Sequence, residues 1–233
     1  MVSDLAPPIR PSGSAPRLAV GPRTHGLAAD ELVKLHHALI EALPSGRGII
    51  AQLVAPEPNK AIVQVAYDLA YISASWLEKR VLYVNSTDIR TDPDERSPFG
   101  QAGFDFLRQF DSDDLEGSIS RVVGLELYEM TLPSMRGAPD LTPVLRRIPE
   151  LMERLRCTFD LVVIASPSAS EAPMGVLLSR YVDGNVLVLE AGSIRATEAA
   201  LLRDSLRSSG GSVVGVVLTR CRSYAPRWLS RWL

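Results

Sequence analysis

Leucines recur at Leu27, Leu32, Leu35, Leu39 and Leu43, roughly helical intervals, and Pro44 with Gly46 closes the run. The spacing predicts a leading amphipathic helix with Asp30 offered as its N-cap. Beyond Gly48 the period changes. Apolar runs of strand length stand at Gly48 to Val54, Arg80 to Val84, Leu125 to Met130, Asp160 to Ile164, Asn185 to Leu189 and Ser212 to Leu218. Between them lie helical stretches at Ile62 to Leu77, Phe104 to Phe110, Leu141 to Arg156, Met174 to Tyr181 and Arg195 to Ser208. Short strands apolar on both faces, joined by crossovers of a dozen or more residues, predict a mostly parallel sheet covered by helices, an α/β domain. Residues 85 to 120, rich in Asp, Pro, Ser and Gly, predict a long surface loop with a short helix. Residues 1 to 24 carry Pro7, Pro8, Pro11, Pro16 and Pro22 among Gly, Ser and Arg, and read as a flexible arm. One domain over 25 to 221 and a tail over 222 to 233 complete the chain.

Composition narrows the partners. The 233 residues hold 25 Lys plus Arg against 27 Asp plus Glu, a net charge of -2, which gives no electrostatic ground for nucleic-acid binding. No apolar run approaches the roughly 20 residues of a membrane-spanning helix, and the first residues lack the apolar block of a secretory signal. The two cysteines, Cys157 and Cys221, cannot build a disulfide framework, so the expected address is the cytoplasm. In an open parallel sheet, ligands bind beyond the carboxyl ends of the strands. That directs attention to the residues after Val54, Val84 and Ile164.

The first of these segments is Ala55-Pro56-Glu57-Pro58-Asn59-Lys60-Ala61-Ile62, leading into a helix with Asp68-Leu69-Ala70. A phosphate-binding loop needs glycines to wrap the phosphates, a lysine for the outer ones and a hydroxyl for magnesium; this loop has no glycine. The wider order of motifs is nevertheless specific. Val81 to Arg90, then Phe159-Asp160-Leu161-Val162-Val163-Ile164-Ala165-Ser166-Pro167, Val182-Asp183-Gly184, Ala191-Gly192-Ser193-Ile194-Arg195 and Gly215-Val216-Val217-Leu218-Thr219 follow in sequence. Together with Pro58 to Ala70 they resemble, over about residues 31 to 219, the cytosolic tyrosine kinases of bacterial polysaccharide export. Those kinases are relatives of the septum-site and plasmid-partition ATPases. The resemblance implies a P-loop NTPase-like fold, Mg-ATP as cofactor and a membrane polysaccharide co-polymerase as partner.

The departures from the family pattern fall on its chemistry. Aligned without a gap through Asp68-Leu69-Ala70, the motif's leading proline is Pro58, its two glycines become Asn59 and Ala61, its lysine becomes Ile62 and its hydroxyl residue becomes Val63. Lys60 takes the lysine position only if two residues are inserted in the helix, which turns it by about 200°. The acidic residue closing the second strand becomes Asn85, with Asp88 recoverable by one extra residue, and the acidic residue after Ile164 becomes Ala165. Phosphoryl transfer is mostly positioning plus electrostatic stabilisation by lysine, magnesium and the carboxylates that hold it. Ile62 and Ala165 supply neither charge nor hydrogen bond. The reading is therefore a catalytically degenerate scaffold without ATP or magnesium. The alternatives are an active autokinase that uses Lys60 and Asp88 with ATP and magnesium, and a partition-type or septum-site-type positioning ATPase relative. The family's C-terminal tyrosine cluster is reduced to Tyr224.

Other features bear on assembly. Glu31, Lys34 and His37 keep the spacing of a Glu-x-x-Arg-x-x-Arg helix that, in the family, packs between subunits of a ring, so the resemblance implies a homo-oligomer. His36 and His37 point about 100° apart on a helix and do not make a metal site. Asp111-Ser112-Asp113-Asp114-Leu115-Glu116 lacks the spacing of a calcium loop, and Ser166 and Ser168 have no histidine placed for a triad. In the tail, Trp228 and Trp232 stand four apart with Leu229 and Leu233, and Arg227 and Arg231 flank them. That pattern suits a membrane interface at the inner face of the cell membrane, a partner groove, or folding back onto its own domain.

Overall fold

The computed structural model describes residues 27–43, 46–87, 119–132 and 142–220. Among them run α1 (Ala29–Ala42), β1 (Ile49–Val54), α2 (Ala61–Ser75), β2 (Val81–Asn85), β3 (Ser120–Arg121) and β4 (Leu127–Thr131). Then come α3 (Thr142–Thr158), β5 (Leu161–Ala165), α4 (Met174–Leu177), β6 (Gly184–Glu190), α5 (Ala196–Ser208) and β7 (Val213–Thr219). The strands form one seven-stranded sheet in the order β3-β4-β2-β5-β1-β6-β7. All neighbours are parallel except the antiparallel pair β3 and β4. The α/β sheet expected from the sequence is present, with its apolar runs as strands.

Strand β1 sits between β5 and β6 and is buried at every position, which is why Ile49-Ile50-Ala51-Gln52-Leu53-Val54 shows no alternation. Ala51 and Leu53 pack with Leu32 and Leu39 of α1 and Val65, Leu69 and Ile72 of α2 on one face. On the other, Ile50 packs with Ile148, Leu151 and Leu155 of α3, and Val54 with Leu202 and Leu206 of α5. Gln52 is buried mid-strand, and its Nε2 donates to the carbonyl of Gly175, tying α4 to the central strand. Position 175 must be glycine: a Cβ there would lie 2.5 Å from the Pro167 carbonyl oxygen.

Three expectations need correction. Asp30 is not the N-cap of α1; it lies within the first turn, and the cap position is Ala28, whose N–H donates to Glu31 Oε2 at 3.2 Å. The Glu reaches back as in half of a capping box, leaving Asp30 to act only through the helix dipole. The segment read as loop up to residue 120 ends in a strand, since Ser120 and Arg121 pair with Glu129 and Tyr128. Two residues carry no readable period. The stretch from Met174 to Tyr181 is one α-helical turn followed by a 3-10 turn over Leu178–Arg180 rather than a single helix. The arm, the helix over 104 to 110, the acidic string at 111 to 116, Asp88 and the tail with Trp228 and Trp232 lie outside the described residues.

Helix α1 is held on α2 by a buried polar contact, His36 Nδ1 to Ser73 Oγ at 2.9 Å. The Ser73 hydroxyl donates to Leu69 O at 2.7 Å, so it accepts from His36, which fixes the Nδ1–H tautomer. Burial first, then the neighbouring charges of His37 and Lys79, push the imidazole down from 6.5 to about 4. A folded-state value below the unfolded one means that the unfolded chain binds the extra proton. Stability is therefore full above pH 6.5 and declines as pH falls toward 4. The decline should be on the order of 2 kcal/mol. Urea melts at pH 7 and pH 4.5 should show it, and His36→Gln should flatten this limb of the profile.

Candidate functional site

The site begins where β1 delivers the chain to the carboxyl edge of the sheet. Ala55 and Pro56 are buried, Glu57, Pro58 and Lys60 are exposed, and α2 starts at Ala61. A helix N-terminus that faces phosphate keeps its first N–H groups available to the ligand. Here Asn59 takes them itself. Its Oδ1 accepts from Ala61 N at 2.9 Å and its carbonyl from Ile62 N at 3.1 Å. Ile62 is 1% exposed and packs in the core formed with α1 and β1, while Val63 beside it is half-buried. Lys60 is helical in backbone (φ -61°, ψ -21°) and provides no side-chain cap.

The two neighbouring strand ends are closed in a similar way. Asn85 is half-buried, and its Oδ1 accepts from Thr87 N at 3.0 Å and Thr87 Oγ1 at 2.7 Å. Ala165 is fully buried, and its carbonyl accepts from Ser86 N at 2.8 Å. The loop after β5 is then zipped to the loop after β1: Ser166 N donates to Leu53 O at 3.0 Å, Ala169 N to Ala55 O at 3.0 Å and Ser170 N to Pro56 O at 3.1 Å.

Glu57, Ser168, Ser170 and Glu171 complete this edge, and sequence reasoning did not single them out together. Ser170 Oγ donates to Glu57 Oε2 at 3.0 Å and Ser168 Oγ to Glu171 Oε2 at 2.7 Å. The signal available was the serine-rich run Ser166-Pro167-Ser168-Ala169-Ser170-Glu171 after Ala165.

Mg-ATP does not fit these groups. It brings several negative charges, and this edge meets them with the carboxylates of Glu57 and Glu171 and the exposed, uncradled ammonium of Lys60. Ile62 and Ala165, at the positions the resemblance gives to lysine and to a metal-facing carboxylate, are buried and uncharged. Two polar atoms here, Asn59 Nδ2 and Ser166 Oγ, are buried without a partner, but both are neutral and cannot offset phosphate charge. A cavity of about 370 Å³ lies at the opposite, amino ends of β1 and β5, lined by His36, Arg47, Lys79 and Asp160 among others.

Two acidic residues of the motifs read from the sequence have architectural partners. Asp183 Oδ2 accepts from Ile50 N at 2.8 Å and from Arg156 Nε at 3.1 Å. Asp160 Oδ2 accepts from Arg80 N at 2.8 Å. Each carboxylate ties elements that enter or leave the sheet.

Of the assembly candidates, Glu31, Lys34 and His37 are all exposed along one side of α1, opposite the buried Leu32, His36 and Leu39. Glu31 also holds the helix start, a role its spacing did not reveal.

A sheet of this order, with β1 between β5 and β6 and helices on both faces, is a P-loop NTPase-like α/β fold. No family model matches the chain. Tyrosine-protein kinase CpsD of Streptococcus agalactiae is 25% identical over 93 residues, 39% of this chain and 41% of that protein. The match thus spans less than half the length of the curated relative. The kinase domain of the Escherichia coli tyrosine kinase ETK superposes with a TM-score of 0.65 at 19% identity, over 85% of this chain and 79% of that one. The cell division ATPase MinD of Pyrococcus furiosus gives 0.52 at 18% identity, over 73% and 71%. Over those 93 residues the chain is similar to a bacterial tyrosine kinase, and it has the fold of such kinase domains.

Proposed function

We propose that this chain is a kinase-derived scaffold that serves assembly or export of a cell-surface polysaccharide without turning over ATP. One observation carries the reading: Ile62, at the family's lysine position, is sealed in the core, and the helix start beside it is occupied by Asn59 rather than open to a phosphate. Loss at a single position can be covered by a neighbour, but the ends of β1, β2 and β5 have all exchanged charged or glycine positions for neutral, self-bonded ones. A fold kept without its chemistry is suited to holding partners.

The partner proposed is a membrane polysaccharide co-polymerase, met at the cytoplasmic face of the membrane. Among the described residues no helix is long and apolar enough to cross a membrane. The route proposed to that face is docking. The docking and self-association surface proposed is the exposed side of α1 with Glu31, Lys34 and His37.

Co-isolation with the cytosolic end of a co-polymerase tests the pathway. Sedimentation tests the surface. The triple variant Glu31→Gln, Lys34→Ala, His37→Ala should lower the assembled fraction several-fold at neutral pH, with glutamine retaining an acceptor for Ala28 N–H so that the melting temperature moves little. A monomeric profile in both proteins would remove the α1 interface.

A further inference from the structure

Strand β7 ends the sheet order and is uncharged throughout, Val213-Val214-Gly215-Val216-Val217-Leu218-Thr219. Its register places Val216 opposite Leu187 and Leu218 opposite Leu189, on the face that α5 covers. Yet α5 lays Leu202 and Leu206 over Val54 and Leu187 and meets the outer strand at its start, where Val213 packs against them, leaving Val216 and Leu218 further along. Val216 is 55% and Leu218 52% exposed, with Leu189 beside them half-buried. Proteins commonly cover a terminal apolar strand with a helix or loop, because left open it invites association.

The chain that leaves β7 has the means. Arg220 adopts a left-handed backbone (φ 56°) that breaks the line of the strand, and its guanidinium is pinned to Glu190 Oε1 at 2.8 Å. Thirteen residues follow, 221 to 233, ending at Leu233. The first five, up to Ala225, reach at most about 17 Å, enough for a reversal. The last eight, from Pro226, measure about 12 Å as a helix, which covers the roughly 7 Å between Val216 and Leu218 with a turn to spare. In a helix Trp228, Leu229, Trp232 and Leu233 fall on one side, while Arg227 and Arg231 lie at its margin with their heads in water. Tethered at the end of the very strand it would cover, this segment meets the face at an effective concentration that a separate molecule does not reach.

We propose that residues 221–233 fold back over the α5-side face of β7 and cover Val216 and Leu218 with Trp228 and Trp232. The test uses the full chain with Trp76→Phe, which leaves the two tail tryptophans as the only ones. Acrylamide should quench them weakly, independently of protein concentration. Val216→Asp with Leu218→Asp should raise the quenching constant several-fold. Tryptophans as accessible as a free peptide in the parent, or quenching unaltered by the two aspartates, would overturn the proposal. So would shielding that is lost on dilution, which assigns the face to a second copy, or shielding that appears only with anionic lipid vesicles. Should the aspartate variant not fold, Val216→Cys with Leu229→Cys, in a Cys157→Ser, Cys221→Ser background, should give an intrachain disulfide at micromolar protein. Its absence would equally overturn the proposal.

Discussion

Asp183→Ala should destabilise the domain by about 3 kcal/mol or more, the cost of leaving a buried guanidinium without its carboxylate and a strand amide without its acceptor. Arg156 is 9% exposed and donates to Asp183 Oδ2, to Glu153 Oε1 at 2.7 Å and to Tyr181 O at 2.8 Å. The same Asp183 oxygen accepts from Ile50 N in the central strand. Removing it therefore loosens α3, β1 and the entry to β6 together. Asp183→Asn keeps an acceptor for Ile50 N while losing the charge, and should cost less. Urea denaturation of the two variants separates the effects; equal and small losses would show that the carboxylate is dispensable.

Ile62→Lys should not recover a nucleotide site and should itself cost about 3 kcal/mol. In a chain of this size that lowers the melting temperature by about 6–12 °C. The side chain sits among Val65, Ala66 and Leu69 of its own helix and the leucines of α1, so an ammonium there is either desolvated or must thread out past the first turn. Placing at 62 the lysine that the resemblance implies meets a core built for isoleucine. A Lys variant as stable as the parent, with Mg-ATP raising its melting temperature, would mean that the cradle survives intact beneath one substitution.

The inner parallel strands β1 and β5 were legible because they are buried on both faces and so read as uninterrupted apolar runs; β7 reads the same way with one face open, and the observed strand ends lie within about two residues of those expected. Ile62, Val65, Ala66, Leu69 and Ile72 likewise announce an inward helix face by spacing alone. What could not be read depends on contacts between distant segments. Asn59 closing the start of α2, Glu57 meeting Ser170, and Asp183 bridging β1 to Arg156 all arise from juxtapositions that the sheet order creates. His36 reads as one half of a histidine pair, and only the packing of α1 on α2 shows it bonded to Ser73 and separated in character from exposed His37. Glu31 was legible as a surface charge but not as the group that holds its own helix start, since capping depends on the conformation of Ala28.

In this chain Asp160 and Asp183 are bonded in place. On the scaffold proposal, the groups that phosphoryl transfer needs, a positioned lysine and metal-facing carboxylates, are replaced at the strand ends. Calorimetric titration of the full chain with Mg-ATP, paired with labelled phosphate incorporation, puts that division to the test. The scaffold account predicts no saturable heat into the millimolar range and no phosphate on Tyr224. Micromolar binding, with phosphate incorporation that is lost in Lys60→Met, would contradict it and establish an autokinase.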